Sequence, residues 1–288
     1  MMKQLIINAD DLGSDINRNN GIFETVEAGI VRNVSILANG PALEDVVNRI
    51  KSSKDCNISI GIHINLSEGR PLTEGLRLLT DKDGNFLSKK RTLALLSGQA
   101  DMGIKDEIEA EIDAQIKKIL GYGLNITHMD GHHHIHIMPP VIEAAIKKAR
   151  EFKINWMRVP DEPVDIYNNM ETDVATLYEA QFFSGHALAA RPYIKKAGIN
   201  TTDHFIGLYL KGRLSPLILI RLTKDLKEGV TEMMVHPGRE ALLDKANPFT
   251  AFSTKKRDIE TDALLSPDFK IALKENSVYI KSFLEVKR

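Results

Sequence analysis

Short apolar runs along this chain repeatedly end on a side chain that can do chemistry, and most are followed by a helical pattern. Residues 5–7 lead to Asp10 and Asp11, residues 57–62 to His63, and the segment around Leu124 and Ile126 to Asp130 and His132. Residues 154–159 carry Arg158 near their end, 199–205 carry Asp203 and His204, and 232–235 deliver His236. With 34–38 and a closing run at 278–283, the pattern predicts seven or eight strands. Strand and helix in alternation argue for an α/β fold with a parallel sheet, whose site lies at the C-terminal strand ends. The expectation is therefore one TIM-like β/α barrel spanning 1–288, complete or distorted. An open doubly wound sheet is the alternative, but no glycine-rich phosphate fingerprint follows the first strand.

The intervening helices read from apolar spacing. Residues 17–29 place Ile22, Phe23 and Val26 on one face, and a helix opening at Pro41 carries Leu43, Val46, Val47 and Ile50. Ile104, Ile108, Ile112 and Ile116, with Ile119 or Leu120, give an amphipathic helix closed by Gly121 and Gly123. Residues 161–199 are weakly patterned and read as mostly helical, with Leu177 and Leu188 as core candidates. Further helices are expected at 214–227, 259–265 and 269–274. The rhythm breaks at 65–103, a glycine-punctuated stretch with an Asp83-Gly84 turn between Thr80 and Phe86. An insertion of that length after a strand end most often forms a lid or substrate wall.

Composition narrows the function classes. Apolar residues are 43% and charged residues 27%, ordinary for a globular chain with a substantial core. The formal charge is −1 and no basic block accompanies it, so neither nucleic acid nor an anionic membrane is an expected partner. Cys56 is the only cysteine, which excludes an intrachain disulfide and a cysteine metal site. The first apolar run is too short for a signal peptide's core, and a cytoplasmic location is expected.

Five of the nine histidines, His128, His132, His133, His134 and His136, crowd into THMDGHHHIHIMPP at 127–140, with Asp130 among them. A purification tag would be terminal and uninterrupted, whereas this run is internal and interleaved with apolar residues. It begins where a strand pattern ends and stops where Pro139 and Pro140 can open a helix. Clustered histidine and aspartate there point to a metal or catalytic site. Asp10 and Asp11 add two adjacent carboxylates, costly near a buried strand unless a cation neutralises one. Because neighbouring strand residues face opposite sides, the two are not expected to share a task. A use as N-cap for the following helix is also open.

An acidic residue with two histidines suits a catalytic divalent metal that keeps positions open for water and substrate. Such a metal supports amide or ester hydrolysis, with a spare carboxylate as base and a further histidine as acid. Spacing alone does not assign these roles.

The stretches LIINADDLG at 5–13, Asn39-Gly40, GIHINL at 61–66, THMDGHHHIH at 127–136 and MVHPG at 234–238 resemble, in order and spacing, the YdjC-like carbohydrate deacetylases. The resemblance spans nearly the whole chain. It implies a TIM-like barrel, one divalent ion (Mg2+ or Zn2+), and metal ligands Asp11, His63 and His132. By the same analogy Asp10 is the base that activates water and His236 the acid for the departing amine. His128 and Asp130 then orient the ligands, and Arg158 binds a substrate oxygen, neutralises Asp10 or makes a structural ion pair. The implied partner is a small N-acetylated sugar or oligosaccharide, with a homodimer open. Gly131 stands where the chitooligosaccharide-specific members carry serine, and 65–103 and 160–230 match weakly, which leaves the sugar undetermined. Two other readings compete. His128-x-Asp130 with a distant histidine matches the facial triad of non-haem Fe(II) oxygenases, and a non-catalytic metal- or sugar-binding barrel would use the same ligands.

Overall fold

Strand β1 (Lys3–Leu12) runs through the middle of the sheet, and every residue from Leu5 onward is buried. An apolar run covered on both faces is what a parallel strand between helix layers requires. Along one edge β1 pairs with β7 (Gly229–Val235) from Lys3 to Ala9. Along the other it pairs with β2 (Asn33–Ile36) at its upper end and with β8 (Val278–Ile280) at its lower end. Beyond β2 come β3 (Ser59–Ile64), β4 (Ile126–Gly131) and β5 (Trp156–Met157), while β6 (His204–Ile206) lies outside β7. All these pairings are parallel. The structure, a computed structural model, describes residues 2–53, 57–98, 102–163, 173–210 and 212–287. Cys56 lies outside the described residues.

The strand order is β5-β4-β3-β2-β1-β7-β6, with β8 off that path. This corrects the expected barrel: the sheet is curled but does not close into a TIM barrel. A single isolated bridge, Trp156 to Asn200, brings its two edge regions together, and no ladder joins β5 to β6 among the described residues. The reason lies in strand length. β5 has two residues and β6 three, each laddered only to its inner neighbour, the bridge at Asn200 falls ahead of β6, and β8 fills the gap below β2 instead of extending the ring.

Helices cover the sheet as the apolar spacing requires. Helix α1 (Ile16–Glu27) is capped by Asp15, whose carboxylate accepts the Arg18 backbone N–H at 2.8 Å. It is followed by α2 (Leu43–Ser52), α3 (Lys89–Leu96) and α4 (Met102–Gly121). The five isoleucines of α4 are all buried, and α4 packs against β3 and α5 (Pro139–Glu151). Pro139 and Pro140 open α5, where their missing N–H groups cost nothing. The chain is completed by α6 (Val174–Lys196), α7 (Pro216–Asp225), α8 (Lys255–Leu265) and α9 (Pro267–Glu275). The 80–86 turn forms as read, with Thr80 bridged to Phe86 and the Gly84 N–H donating to the Asp81 carbonyl.

Two local expectations fail. Leu177 packs on the core, but Leu188 is 60% exposed, because one face of α6 points to solvent. His204 begins its strand instead of ending it, so it lies at the opposite end of the sheet from His63 and His132, and its Nε2 donates to the Glu228 carbonyl at 3.1 Å.

Candidate active site

The end of β1 breaks its own alternation. Its register against β2 slips between Ala9 and Leu12, and Asp11 adopts a left-handed backbone at φ 66°. Such a bulge re-aims a side chain, and aspartate tolerates the left-handed region better than most residues. Asp10 and Asp11 consequently border the same cavity, contrary to the opposite-faces expectation. Neither caps α1, since Asp15 does so.

Below the cavity Arg158 holds the carboxylates in register. Its two terminal nitrogens donate to both oxygens of Asp10 at 2.6 and 2.7 Å, a bidentate pairing that fixes the carboxylate plane. Asp130 Oδ2 lies 2.9 Å from the same guanidinium, and Nε donates to Glu232 Oε1 at 2.7 Å. All four side chains are buried. Burial raises the pKa of Asp10 despite Arg158. Burial also lifts Glu232, to about 7, with Arg158 opposing. Asp130 goes the other way: Arg158 and His63 outweigh the burial penalty and hold it far below the usual carboxylate range.

Above this floor, three donors from three strand ends converge. Asp11 Oδ1 lies 2.8 Å from His132 Nδ1 and 3.3 Å from His63 Nε2, and the three ligating atoms fall within 4.8 Å of one another. The other nitrogen of each ring meets a further carboxylate: His63 Nδ1 lies 2.7 Å from Asp130 Oδ1, and His132 Nε2 lies 2.8 Å from Glu68 Oε2. Arg18 donates to the second oxygen of Asp11 at 3.1 Å. Burial disfavours a charged His63, yet Asp130 and Asp10 prevail and hold its pKa at about 10. Burial likewise works against His132 and is outweighed by Asp11. The surplus of carboxylates favours positive charge at this point, whether carried by protons or by a cation. One carboxylate and two imidazoles, each imidazole backed by a carboxylate, fit a divalent metal.

The remaining histidines divide by environment. His133 and His134 take left-handed backbones (φ 53° and 54°), which turns consecutive rings in different directions. The His133 ring lies tilted 3.9 Å from that of His132 and contacts Ser67 Oγ at 2.9 Å. His134 packs edge-on to Phe183 and Phe205. His136 donates to the Arg158 carbonyl at 3.1 Å, and burial lowers its pKa to about 4. His128 lies beneath the site, its Nε2 2.9 Å from Asn8 Oδ1, and burial depresses it to about 3. His128 and Asp130 do not share a metal-sized cluster among the described residues, which removes the facial triad of the oxygenase reading.

The cavity, about 390 Å³, is bordered by Asp10, Asp11, His63, His132 and His236, with walls from α6 (Glu179, Ala180), from Leu208 and Gly212, and from the segment between Ala251 and Arg257. His236 is set by its backbone: its N–H donates to Glu260 at 2.6 Å and its carbonyl accepts from Arg257 at 3.0 Å. Sequence reasoning missed Glu68, Arg18 and Glu232. Glu232 left a signal, a charged residue inside a strand whose residues from Val230 to Val235 are all buried, which demands a partner. Glu68 and Arg18 left none, since a polar residue in a loop or on a helix is ordinary.

The YdjC-like protein family model matches residues 4–275. The chain belongs to the YdjC-like family. A carbohydrate deacetylase of Thermoanaerobacter pseudethanolicus is 31% identical to this YdjC-like protein over 284 residues, covering 98% of each chain. A carbohydrate deacetylase of Danio rerio is 32% identical over 262 residues, 82% of each. The fold is similar to a crystal structure from Enterococcus faecalis V583 with a TM-score of 0.73 and 21% identity, covering 100% of both chains.

Proposed function

We propose that this YdjC-like protein removes the acetyl group from an N-acetylated sugar or oligosaccharide, using one divalent cation, Mg2+ or Zn2+, at Asp11, His63 and His132. The observation that carries the reading is the convergence of those three donors, from β1, β3 and the end of β4, at the wall of a sugar-sized cavity. The relatives named carbohydrate deacetylase supply the substrate class.

A divalent ion in that position contributes Lewis acidity, acidifying water and polarising an amide carbonyl. The chain's own groups do the rest. Asp10 borders the cavity beside Asp11 and takes the proton of the attacking water, its orientation fixed by the Arg158 fork. His236, which borders the same cavity, gives a proton to the departing amine. Asp130 holds the His63 ring in place, and His128 packs beneath without touching the substrate. Of the 65–103 insertion, Ser67 and Glu68 reach His133 and His132, while the described residues that border the cavity come from other segments. A single cysteine suits a cytoplasmic location.

Acetate release by the metal-loaded protein over N-acetylated mono- and oligosaccharides tests the activity, and no release from any of them would remove it. His132→Ala should lower metal content and abolish turnover. Full metal occupancy with a near-normal rate in that variant would sink the ligand assignment.

A further inference from the structure

We infer that Glu68 is the positioning residue that locks His132 for metal binding, and that helix α4 sets its place through a buried polar chain. The inference rests on the metal reading above and adds to it a residue outside the ligand set. His132 heads a turn in which the next two residues have left-handed backbones, and the His133 ring tilts against its own at 3.9 Å. Its two nitrogens are held by carboxylates, Nδ1 on Asp11 and Nε2 on Glu68, both at 2.8 Å. An imidazole that offers one nitrogen to a cation carries its proton on the other. A carboxylate accepting that N–H fixes tautomer and orientation and raises ligand basicity. Asp130 stands in this relation to His63, and Glu68 stands in it to His132.

What separates the two carboxylates is their origin. Asp130 sits on the rigid sheet, whereas Glu68 comes from the irregular segment after β3 and needs its own support. Asn65 provides it. Its side-chain oxygen accepts from the N–H groups of Ser67 and Glu68, and its Nδ2 donates to the Glu68 carbonyl at 2.8 Å. Asn39 donates to that carbonyl at 3.1 Å. Asn65 is in turn gripped by Gln115 of α4, which accepts from its N–H at 3.0 Å and donates to its carbonyl at 2.6 Å. Gln115 also donates to Glu111, whose carboxylate accepts the N–H groups of Leu72 and Thr73. Asn65, Gln115 and Glu111 are fully buried. Partnered polar groups of this kind are costly to break and hold one geometry.

The test measures Zn2+ affinity by chelator competition, and the visible spectrum of the Co2+ form, for wild type, Glu68→Ala and Glu68→Gln. Glu68→Ala should weaken Zn2+ binding roughly 10- to 100-fold at an unchanged stoichiometry of one ion and alter the Co2+ spectrum. Glu68→Gln, whose amide oxygen can still accept the N–H, should recover most of that affinity. Wild-type affinity in Glu68→Ala would overturn the inference. So would Gln failing as badly as Ala, or a second ion lost with Glu68, because either makes Glu68 a ligand. A wild-type protein that takes up no ion would instead bring down the metal reading itself, which keeps the two failures apart. Thermal melting of the metal-free variants serves as the folding control: Glu68→Ala melting with wild type while losing affinity supports the inference, and loss of affinity only in step with unfolding overturns it.

Discussion

Asp10 shows how one side chain can be both structural and reactive. Its carboxylate is buried and gripped at both oxygens by Arg158, which in many proteins would be a purely structural pair. It also borders the cavity, and burial raises its pKa, properties suited to a base. Because Arg158 keeps Asp130 and Glu232 as partners, losing the Asp10 charge should leave the guanidinium compensated. Asp10→Asn should therefore fold and hold metal while kcat falls roughly 10²–10⁴-fold, the usual worth of a positioned base. Metal analysis alongside steady-state rates checks this, and an unaffected kcat would exclude the role. For His236 the informative comparison is between leaving groups. His236→Ala should cripple hydrolysis of an N-acetyl sugar but spare an aryl acetate, whose leaving group needs no proton. Equal losses on both substrates would mean that His236 only shapes the pocket.

At the scale of elements, the site depends on close backbone contact as much as on side chains. Helix α1 crosses the segment after β7 so tightly that a methyl group on Gly21 would overlap the backbone of Gly238. That segment begins at His236 and is tied to α8 through Glu260, Arg257 and Thr261. Overpacking of this kind typically costs about 1–3 kcal/mol. Gly21→Ala should thus lower the melting temperature and, by moving the 236–238 segment, depress kcat more than metal affinity. Calorimetry with kinetics on the same preparation checks both parts. A variant that melts like wild type would show that the contact yields without strain.

For the whole molecule, the buried cluster under the site couples folding to pH. Glu232 is raised from 4.5 to about 7 by burial, only partly offset by Arg158, and its second oxygen has no hydrogen-bond partner among the described residues. The folded protein therefore binds a proton there that the unfolded chain has lost. This contribution to stability is full below about pH 4.5 and disappears as pH rises through about 7. Glu232→Gln stays neutral throughout. Relative to the variant, wild type should lose melting temperature between pH 4.5 and 7, and parallel curves over that range would contradict the shift. No described helix is long and apolar enough to cross a membrane.

The α/β class, most of the strands and helices, and the strand ends that carry Asp10, Asp11, His63, Asp130, His132 and His236 were legible in the amino-acid order alone. Each of these follows from local information: apolar periodicity, proline and aspartate at helix starts, and titratable residues after buried runs. Whether the sheet closes was settled in three dimensions, because closure depends on pairing between strands distant in sequence, and the short β5 and β6 meet only through the Trp156–Asn200 bridge among the described residues. The tertiary structure also brought Asp10 and Asp11 to one cavity through a bulge whose left-handed residue is an aspartate, so no glycine marked it. Glu68, Arg18 and Glu232 entered the cluster for a related reason. A charge network is assembled from residues far apart in the chain, and an acid or arginine in a loop or helix leaves no trace in sequence of what it will face once the strands are packed.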